Sequence, residues 1–224
     1  MAVNKQAYQQ LSGEFFKKDV SLIAVSKTKS IAQIKELYDL GHRDFGENYA
    51  QEMVTKQTEL PQDIRWHFIG HLQRNKVKNI ISFVQLIQSV DSLKLLKEIN
   101  KQAQKSGRVV DCLLQVHIAA EETKFGFDEN EMQELFSNNF HEIQQLKSVR
   151  VMGLMGMASF TENMALVREE FQLLKDIFDK LRTKDYRLTI LSMGMSSDYN
   201  VAIEEGSNMV RIGSLIFGER EKKV

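Results

Sequence analysis

The sequence predicts an α/β protein in which eight buried strands alternate with helices and close into a (β/α)8, or TIM, barrel. Two observations support this fold class. Short apolar runs recur along the whole chain, and a segment with helical periodicity follows each of them. The 224 residues contain one proline, Pro61, and no serine-rich linker, so we expect residues 1–224 to form a single domain. An open, doubly wound parallel sheet is the alternative, because its elements alternate in the same way.

The strands are expected where consecutive apolar residues indicate burial on both faces. The first of these runs is Leu22–Val25, and it stops at a polar Ser-Lys-Thr-Lys segment. Residues 2–18, which precede it, are expected to form a helix that packs outside the barrel. The other seven strands are expected at Arg43–Phe45, Ile64–Ile69, Val84–Val90, Val109–Ile118, Val149–Met157, Leu188–Met193 and Met209–Ile212.

Capping residues mark several of the helices between these strands. Ser30 and Gln33 have the spacing of a capping box, and Gly41 is typical of a helix end. Asp91 is expected to cap the helix after the fourth strand, and Asp128 to begin the next helical region. The long amphipathic helix that follows the sixth strand is expected to span Glu162–Leu181.

Composition excludes several classes of function. Lysine plus arginine and aspartate plus glutamate each number 30, so no basic field favours a nucleic acid or an anionic membrane as partner. The single cysteine, Cys112, lies in an apolar run and fits a reducing compartment. No signal peptide and no run of about 18 apolar residues is present. We therefore expect a soluble, cytoplasmic protein.

In a parallel barrel the carboxyl ends of all strands meet at one mouth, where ligands bind. Six residues are expected to converge there: Lys27, Asn48, Gly70, Lys124, Ser196 and Gly213. Two of these residues, and His67 in the third strand, have a simpler interpretation that the sequence leaves open. Lys27 follows the first strand as a solvated loop lysine would, Asn48 is placed to cap the next helix, and His67 has the position of a structural strand histidine. No carboxylate or cysteine stands at zinc-ligand spacing from that histidine.

The loops after the last two strands have the composition of a phosphate site. They contain Ser196 and Ser197, expected to begin a helix, and the pair Gly213-Ser214. Barrels often bind phosphate with these two loops and a helix N-terminus. The alternative is that Ser197 caps its own helix. A phosphate site and a lysine at one mouth indicate a phosphorylated aldehyde held as a Schiff base, and pyridoxal 5′-phosphate (PLP) is one candidate among several.

Seven motifs in order resemble the pyridoxal phosphate homeostasis protein family, also called YggS/PROSC. They are AVSKTK (24–29), FGENY (45–49), WHFIGHLQRNK (66–76), ETKFG (122–126), GLMGM (153–157), LSMGMSSD (191–198) and VRIGSLIFGER (210–220). The resemblance implies a monomeric barrel like the N-terminal domain of bacterial alanine racemase, with PLP bound as a Schiff base on Lys27. It also implies that Ser196, Gly213 and Ser214 hold the phosphate, that Arg211 faces the pyridine nitrogen, and that Asn48 and, less closely, His67 lie near the ring. His117 departs from the asparagine frequent in that family.

Two classes of function compete for such a site: a PLP carrier and a PLP-dependent amino-acid racemase. An arginine at the ring nitrogen weakens carbanion stabilisation, although alanine racemase tolerates one. That enzyme also takes a tyrosine base from a second domain, whereas this sequence ends at Val224, just past the eighth strand. We therefore expect a PLP-binding homeostasis protein without robust catalysis, with PLP-dependent apo-enzymes as its recipients.

Overall fold

The computed structural model describes residues 2–121, 125–137, 140–182 and 188–218. Eight parallel strands form a closed barrel in the order of the sequence. The strands are β1 (Ser21–Val25), β2 (Asp44–Glu47), β3 (Arg65–Phe68), β4 (Leu86–Val90), β5 (Val110–Val116), β6 (Val149–Gly156), β7 (Ile190–Ser192) and β8 (Met209–Ile212).

Closure of the barrel occurs between the first strand and the last. Ile23 of β1 is in register with Arg211 of β8, and Ala24 is in register with Ile212. An open doubly wound sheet has two unpaired edges, so this pairing excludes it. The predicted (β/α)8 barrel is confirmed, and the carboxyl ends of all eight strands lie on one side.

Helices cover the outside of the sheet and connect its strands. They are α1 (Lys5–Lys17), α2 (Ile31–Asp39), α3 (Ala50–Glu59), α4 (Val77–Ile80), α5 (Leu93–Lys105), α6 (Glu129–Ser137), α7 (Phe140–Gln145), α8 (Met164–Arg182), α9 (Tyr199–Glu204) and α10 (Ser214–Phe217). The capping box at Ser30 and Gln33 is present at the start of α2. None of the helices within the described part of the chain has both the length and the apolar character needed to cross a membrane.

Two apolar clusters stabilise the fold. The larger lies between the sheet and the helices and contains the bulkiest buried side chains, among them Trp66 and Phe171. The smaller lies inside the barrel and consists of Ile23, Leu86, Leu113, Met155 and Met209. The interior is therefore packed rather than open, as in other barrels of this size.

Two local expectations differ from the structure, and one helix is not among those expected. Ser92, not Asp91, caps α5, because its extended backbone lets the hydroxyl accept from the N–H of Leu95 at 3.3 Å. The carboxylate of Asp91 instead contacts His71 Nδ1 at 2.9 Å. Helix α9 begins at Tyr199 rather than at the two serines, and the sequence did not predict α10.

Candidate functional site

The turn that follows β1 carries Lys27 and is anchored on its outer side. Ser26 is buried, and its hydroxyl donates to Glu47 Oε1 at 2.5 Å, while its N–H donates to the carbonyl of Gly46 at 2.9 Å. Thr28 has a left-handed backbone, with φ of 64°, and its N–H donates to Glu52 Oε1 at 2.6 Å. Because both neighbours of Lys27 are bonded to β2 and α3, the backbone of this half-buried lysine is held in place.

A buried ion cluster lies behind that turn. Lys56 Nζ donates to the carbonyl of Ser26 and to Glu47 Oε1, both at 2.7 Å, and to Glu52 Oε1 at 2.6 Å. Glu47 is fully buried, and Lys56 is 4% exposed. Burial raises the pKa of Glu47, and the nearby ammonium of Lys56 partly opposes that shift. Removing one partner of such a buried pair leaves an uncompensated charge, so the cluster fixes the geometry of the turn.

Lys29 also follows β1 but has a different environment from that of Lys27. Its Nζ donates to the carbonyl oxygens of Phe217 and Gly218, at 3.2 and 3.1 Å. These carbonyls lie at the end of α10, where a cation is stabilised by the unpaired C=O groups. Lys29 therefore joins the turn after β1 to the segment after β8.

Asn48 directly follows β2 and carries a side-chain oxygen that no group of the described residues satisfies. It does not cap α3, because the residue in the N-cap position is Tyr49. Its side-chain oxygen is buried and has no hydrogen-bond partner among the described residues. Gly70 packs tightly against the backbone of Asn48, since a Cβ on that glycine would lie 2.4 Å from the backbone carbonyl oxygen of Asn48. An unsatisfied buried acceptor costs about 1–3 kcal/mol, so a ligand donor at this atom would be favourable.

The loops after β7 and β8 present a group of free donors. Within the described residues, no acceptor takes the backbone N–H groups of Ser196, Ser197 and Ser214. The expected helix start at the two serines is wrong: they form a turn that leads into α9, and Asp198 Oδ1 stabilises this turn by accepting from Met195 N at 2.5 Å. Helices α9 and α10 span only six and four residues. The donors that this region presents are therefore turn N–H groups and hydroxyls rather than the N-terminus of a long helix.

Gly213 brings these loops against the turn that carries Lys27. Its N–H donates to Ser196 Oγ at 3.3 Å, which connects the two loops. A Cβ on Gly213 would lie 3.3 Å from the Cβ of Val25 and 3.4 Å from its carbonyl oxygen. Because Val25 is two residues before Lys27, the missing side chain lets the end of β8 pack closely on the end of β1.

Arg211 lies inside the barrel and is 3% exposed. One guanidinium nitrogen donates to the carbonyl and hydroxyl oxygens of Ser192, at 2.9 and 2.7 Å, and the other to the carbonyl of Gly156 at 2.8 Å. Burial lowers the pKa of Arg211 to about 10, and the charge of Asp198 opposes the shift. Three of its five N–H donors are therefore used within the described residues, and two are left for a ligand.

His67 lies deeper in the barrel than the other candidates. Its ring nitrogens contact Asp44 Oδ1 at 3.1 Å and Gln88 Nε2 at 3.2 Å, so it is a satisfied interior histidine. His117 contacts the carbonyl of Glu121 at 2.9 Å and so holds the segment after β5. Lys124 lies outside the described residues. Within the described residues, no group of three histidine, cysteine, aspartate or glutamate side chains is arranged to hold a metal ion.

The structure thus brings the candidates together around the junction of β7, β8 and β1. Lys27, Ser196, Arg211, Gly213 and Ser214 belong to adjacent strand ends, whereas Ser197 is exposed at the rim. Sequence reasoning did not identify four polar residues that support them: Glu47, Lys56, Gln88 and Ser192. A signal existed for Gln88, because it interrupts the apolar pattern of β4, in which all five residues are buried.

Comparison with known proteins identifies the family of this chain. The model of the alanine racemase N-terminal domain family matches residues 4–221. A protein of Aquifex aeolicus called pyridoxal phosphate homeostasis protein is 43% identical over 203 residues, which cover 89% of this chain and 87% of that protein. The chain belongs to the pyridoxal phosphate homeostasis protein family.

Solved structures of other proteins have a similar fold. PipY of Synechococcus elongatus, solved with PLP bound, has a TM-score of 0.83 at 34% identity, and the match covers 95% of this chain and all of PipY. An alanine racemase of Clostridium difficile has a TM-score of 0.75 at 15% identity, with 99% of this chain matched to 59% of the racemase. At that identity the racemase shares the fold alone.

Proposed function

We propose that the protein binds PLP at the junction of β7, β8 and β1 and takes part in PLP homeostasis in the cytoplasm. One observation carries the proposal: the turn with Lys27 packs, through Val25, against a loop whose backbone donors have no acceptor among the described residues. An amine and an anion site at one place fit an aldehyde phosphate. The names of the relatives and the PLP in the PipY structure support the same ligand.

Lys27 supplies the amine in this site. Lysine condenses with the aldehyde of PLP as a Schiff base, and this is the chemistry that the cofactor would contribute here. The bonds of Ser26 and Thr28 to the neighbouring elements hold the lysine backbone. Lys29 is directed instead to the end of α10.

The phosphate is held by the loops after β7 and β8. Ser196, Ser197 and Ser214 offer backbone N–H groups, and Ser196 can also donate its hydroxyl hydrogen because its oxygen already accepts from Gly213. Gly213 itself contributes space rather than a donor. Hydrogen bonds of this kind to an anion are stronger than neutral ones.

The ring of PLP is oriented by two further residues. Arg211 has donors to spare and carries a positive charge, so it favours an unprotonated pyridine nitrogen as acceptor. Asn48 offers its unsatisfied oxygen to a donor of the ligand, for which the ring hydroxyl is suited. His67 acts on the ring only through its neighbours.

The protein carries PLP without robust catalysis and delivers it, as a monomer, to PLP-dependent apo-enzymes. Racemisation needs a base on each face of the substrate carbon. Two of the described tyrosines are engaged elsewhere: the hydroxyl of Tyr8 contacts His42 Nδ1 at 3.4 Å, and that of Tyr38 donates to Asp63 at 2.7 Å. Tyr199 packs edge-on against Phe15. These contacts disfavour three of the four described tyrosines as the second base, which supports the carrier over the racemase.

The absorbance spectrum of the purified protein tests the proposal. Adding PLP to the apo-protein should produce a saturable visible band that borohydride abolishes, and Lys27→Ala should lack that band. Lys35→Ala is the control, because Lys35 is an exposed residue of helix α2 and pairs with Asp39. Absence of a saturable band in the unaltered protein would refute PLP binding through a lysine.

A further inference from the structure

We propose that a hydrogen-bond chain through the barrel interior positions Arg211 for the ring nitrogen of the ligand. The inference rests on the proposed function, since it names the residues that orient one side chain of that site. From the mouth inward, the members of the chain are Arg211, Ser192, Gln88, His67 and Asp44.

Four contacts join these residues across the inside of the barrel. The first half is the contact from Arg211 to Ser192 Oγ at 2.7 Å and from that hydroxyl to Gln88 Oε1 at 2.7 Å. The second half is the contact from Gln88 Nε2 to His67 Nδ1 at 3.2 Å and from His67 Nε2 to Asp44 Oδ1 at 3.1 Å. The five residues come from β8, β7, β4, β3 and β2, so the chain connects opposite sides of the barrel.

The chemistry of Arg211 and Asp44, the two ends, allows only one direction of donation along the hydrogen-bond chain. A guanidinium can only donate, so Ser192 Oγ accepts from Arg211 and gives its own hydrogen to Gln88 Oε1. The amide NH2 of Gln88 then points to His67, whose Nδ1 must accept. At the other end an ionised carboxylate can only accept, so His67 carries its hydrogen on Nε2. The chain therefore requires neutral His67 in the Nε2–H tautomer.

Asp44 is suited to be the fixed acceptor. Burial acts to raise the pKa of Asp44, but hydrogen bonds from Arg65 and His67 outweigh it and hold that pKa well below its usual range. Arg65 binds the carboxylate with two nitrogens, at 2.7 and 2.5 Å. The carboxylate thus stays ionised and in place at the far end of the chain.

The consequence for Arg211 is a restricted guanidinium that forms no ion pair within the described residues, although the charge of Asp198 also stabilises it. No carboxylate forms an ion pair with it among the described residues, and the negative end of the chain is Asp44, three groups away. Aligned hydrogen bonds in a low-dielectric interior polarise one another. The chain thereby stabilises the charged arginine and leaves its two remaining donors in a fixed orientation.

The first arm of the test needs no ligand. In apo-protein with 15N-labelled histidine, long-range NMR correlations should identify His67 as the Nε2–H tautomer at neutral pH. Gln88→Glu replaces the NH2 donor by a carboxylate, which cannot donate to Nδ1, so this variant should place a proton on Nδ1. An Nδ1–H tautomer in the unaltered protein, or an unchanged tautomer in Gln88→Glu, would overturn the proposed direction.

The second arm compares PLP with an analogue in which CH replaces the ring nitrogen while the aldehyde and phosphate are kept. Gln88→Met preserves side-chain length but removes two bonds of the chain, and we expect it to weaken PLP binding roughly tenfold. Binding of the analogue should change less than twofold, which makes it the control for folding and for the rest of the site. Ser192→Ala is the second variant, since it breaks the chain but keeps the Arg211 bond to the Ser192 carbonyl.

The outcomes separate this inference from the proposed function. If the variants weakened the binding of PLP and of the analogue equally, the hydrogen-bond chain would have only a structural role. If the unaltered protein bound neither ligand, the proposed function would fail, whereas the tautomer measurement would still decide whether the chain exists.

Discussion

Two lysines only two positions apart illustrate how single residues differ in this protein. Lys29 is directed to the carbonyls at the end of α10, and Lys27 lies in a turn whose flanking residues are bonded to β2 and α3. Because the residue type is the same, only the surrounding contacts distinguish Lys27, the proposed Schiff-base lysine, from Lys29.

We predict that Lys27 alone carries PLP covalently. Borohydride reduction followed by peptide mass mapping should place the pyridoxyl group on Lys27. The variant Lys27→Ala should fold normally, because this half-buried side chain lies in a turn outside the core, and its circular dichroism and thermal midpoint should match those of the parent. Label found mainly on Lys29 or Lys124 would contradict the assignment.

Gly213 provides a second prediction at the scale of one residue. Replacing it by valine should weaken PLP binding by roughly tenfold or more, because the new side chain would press on Val25. The matched control is Gly13→Ala in α1, where an added Cβ meets nothing within 4 Å. Equilibrium titration of both variants measures the difference. An unchanged affinity in Gly213→Val would mean that this close approach does not shape the site.

At the scale of elements, the loops after β7 and β8 should supply much of the affinity. Charge-assisted hydrogen bonds are worth about 1.5–3 kcal/mol each. Losing all of these hydrogen bonds to the phosphate should therefore lower the affinity by roughly two to three orders of magnitude, at about 1.4 kcal/mol per tenfold. Pyridoxal, which lacks the phosphate, should bind that much more weakly than PLP, and inorganic phosphate should compete. Similar dissociation constants for the two vitamers would show that these loops do not hold the phosphate.

The buried His42, which contacts Tyr8 of α1, predicts a pH dependence of stability. Burial lowers the pKa of His42 to about 4, against about 6.5 in an unfolded chain. Below about pH 6.5 the unfolded state binds a proton at His42 that the folded state does not bind, so the free energy of unfolding falls as the pH decreases toward 4. This loss of unfolding free energy should reach about 3 kcal/mol once the pH is below both pKa values.

Urea unfolding at pH 7 and pH 4.5 measures this effect. The variant His42→Gln has no imidazole to titrate, so it should lose less stability between the two pH values than the parent does. The exposed His141 of α7 gives the control, His141→Gln, which should behave as the parent. The same pH dependence in both variants would rule out His42 as its source.

The elements that the sequence predicts correctly are those set by residues close together in the chain. Strand β8 was predicted with its observed bounds, and the capping box of α2 was found because its two residues interact locally. The start of α5 was misassigned by one residue, since Asp91 and Ser92 both suit a cap and the contact of Asp91 with the distant His71 decides between them. Likewise, Gln88 and Lys56 acquire their partners only when separate strands and helices meet.

At the scale of the whole molecule, the carrier interpretation predicts an absence of turnover. Incubation with L- or D-alanine should leave optical purity unchanged over many equivalents of bound PLP. Sustained racemisation at roughly 1 per second or faster, an ordinary enzyme rate, would instead identify a racemase. Binding of the amino acid to the cofactor without turnover is compatible with the carrier.

The pairing of β1 with β8 has a consequence for the order of assembly. Ile23 and Arg211 are neighbours in the sheet but lie far apart in the sequence. The candidate site draws Lys27 from one side of this junction and Gly213 and Ser214 from the other. A nascent chain therefore acquires the site only after β8 has left the ribosome. A ligand that binds only the closed barrel also stabilises the barrel by mass action. It does so at the pairing of β1 with β8, where segments far apart in the sequence meet.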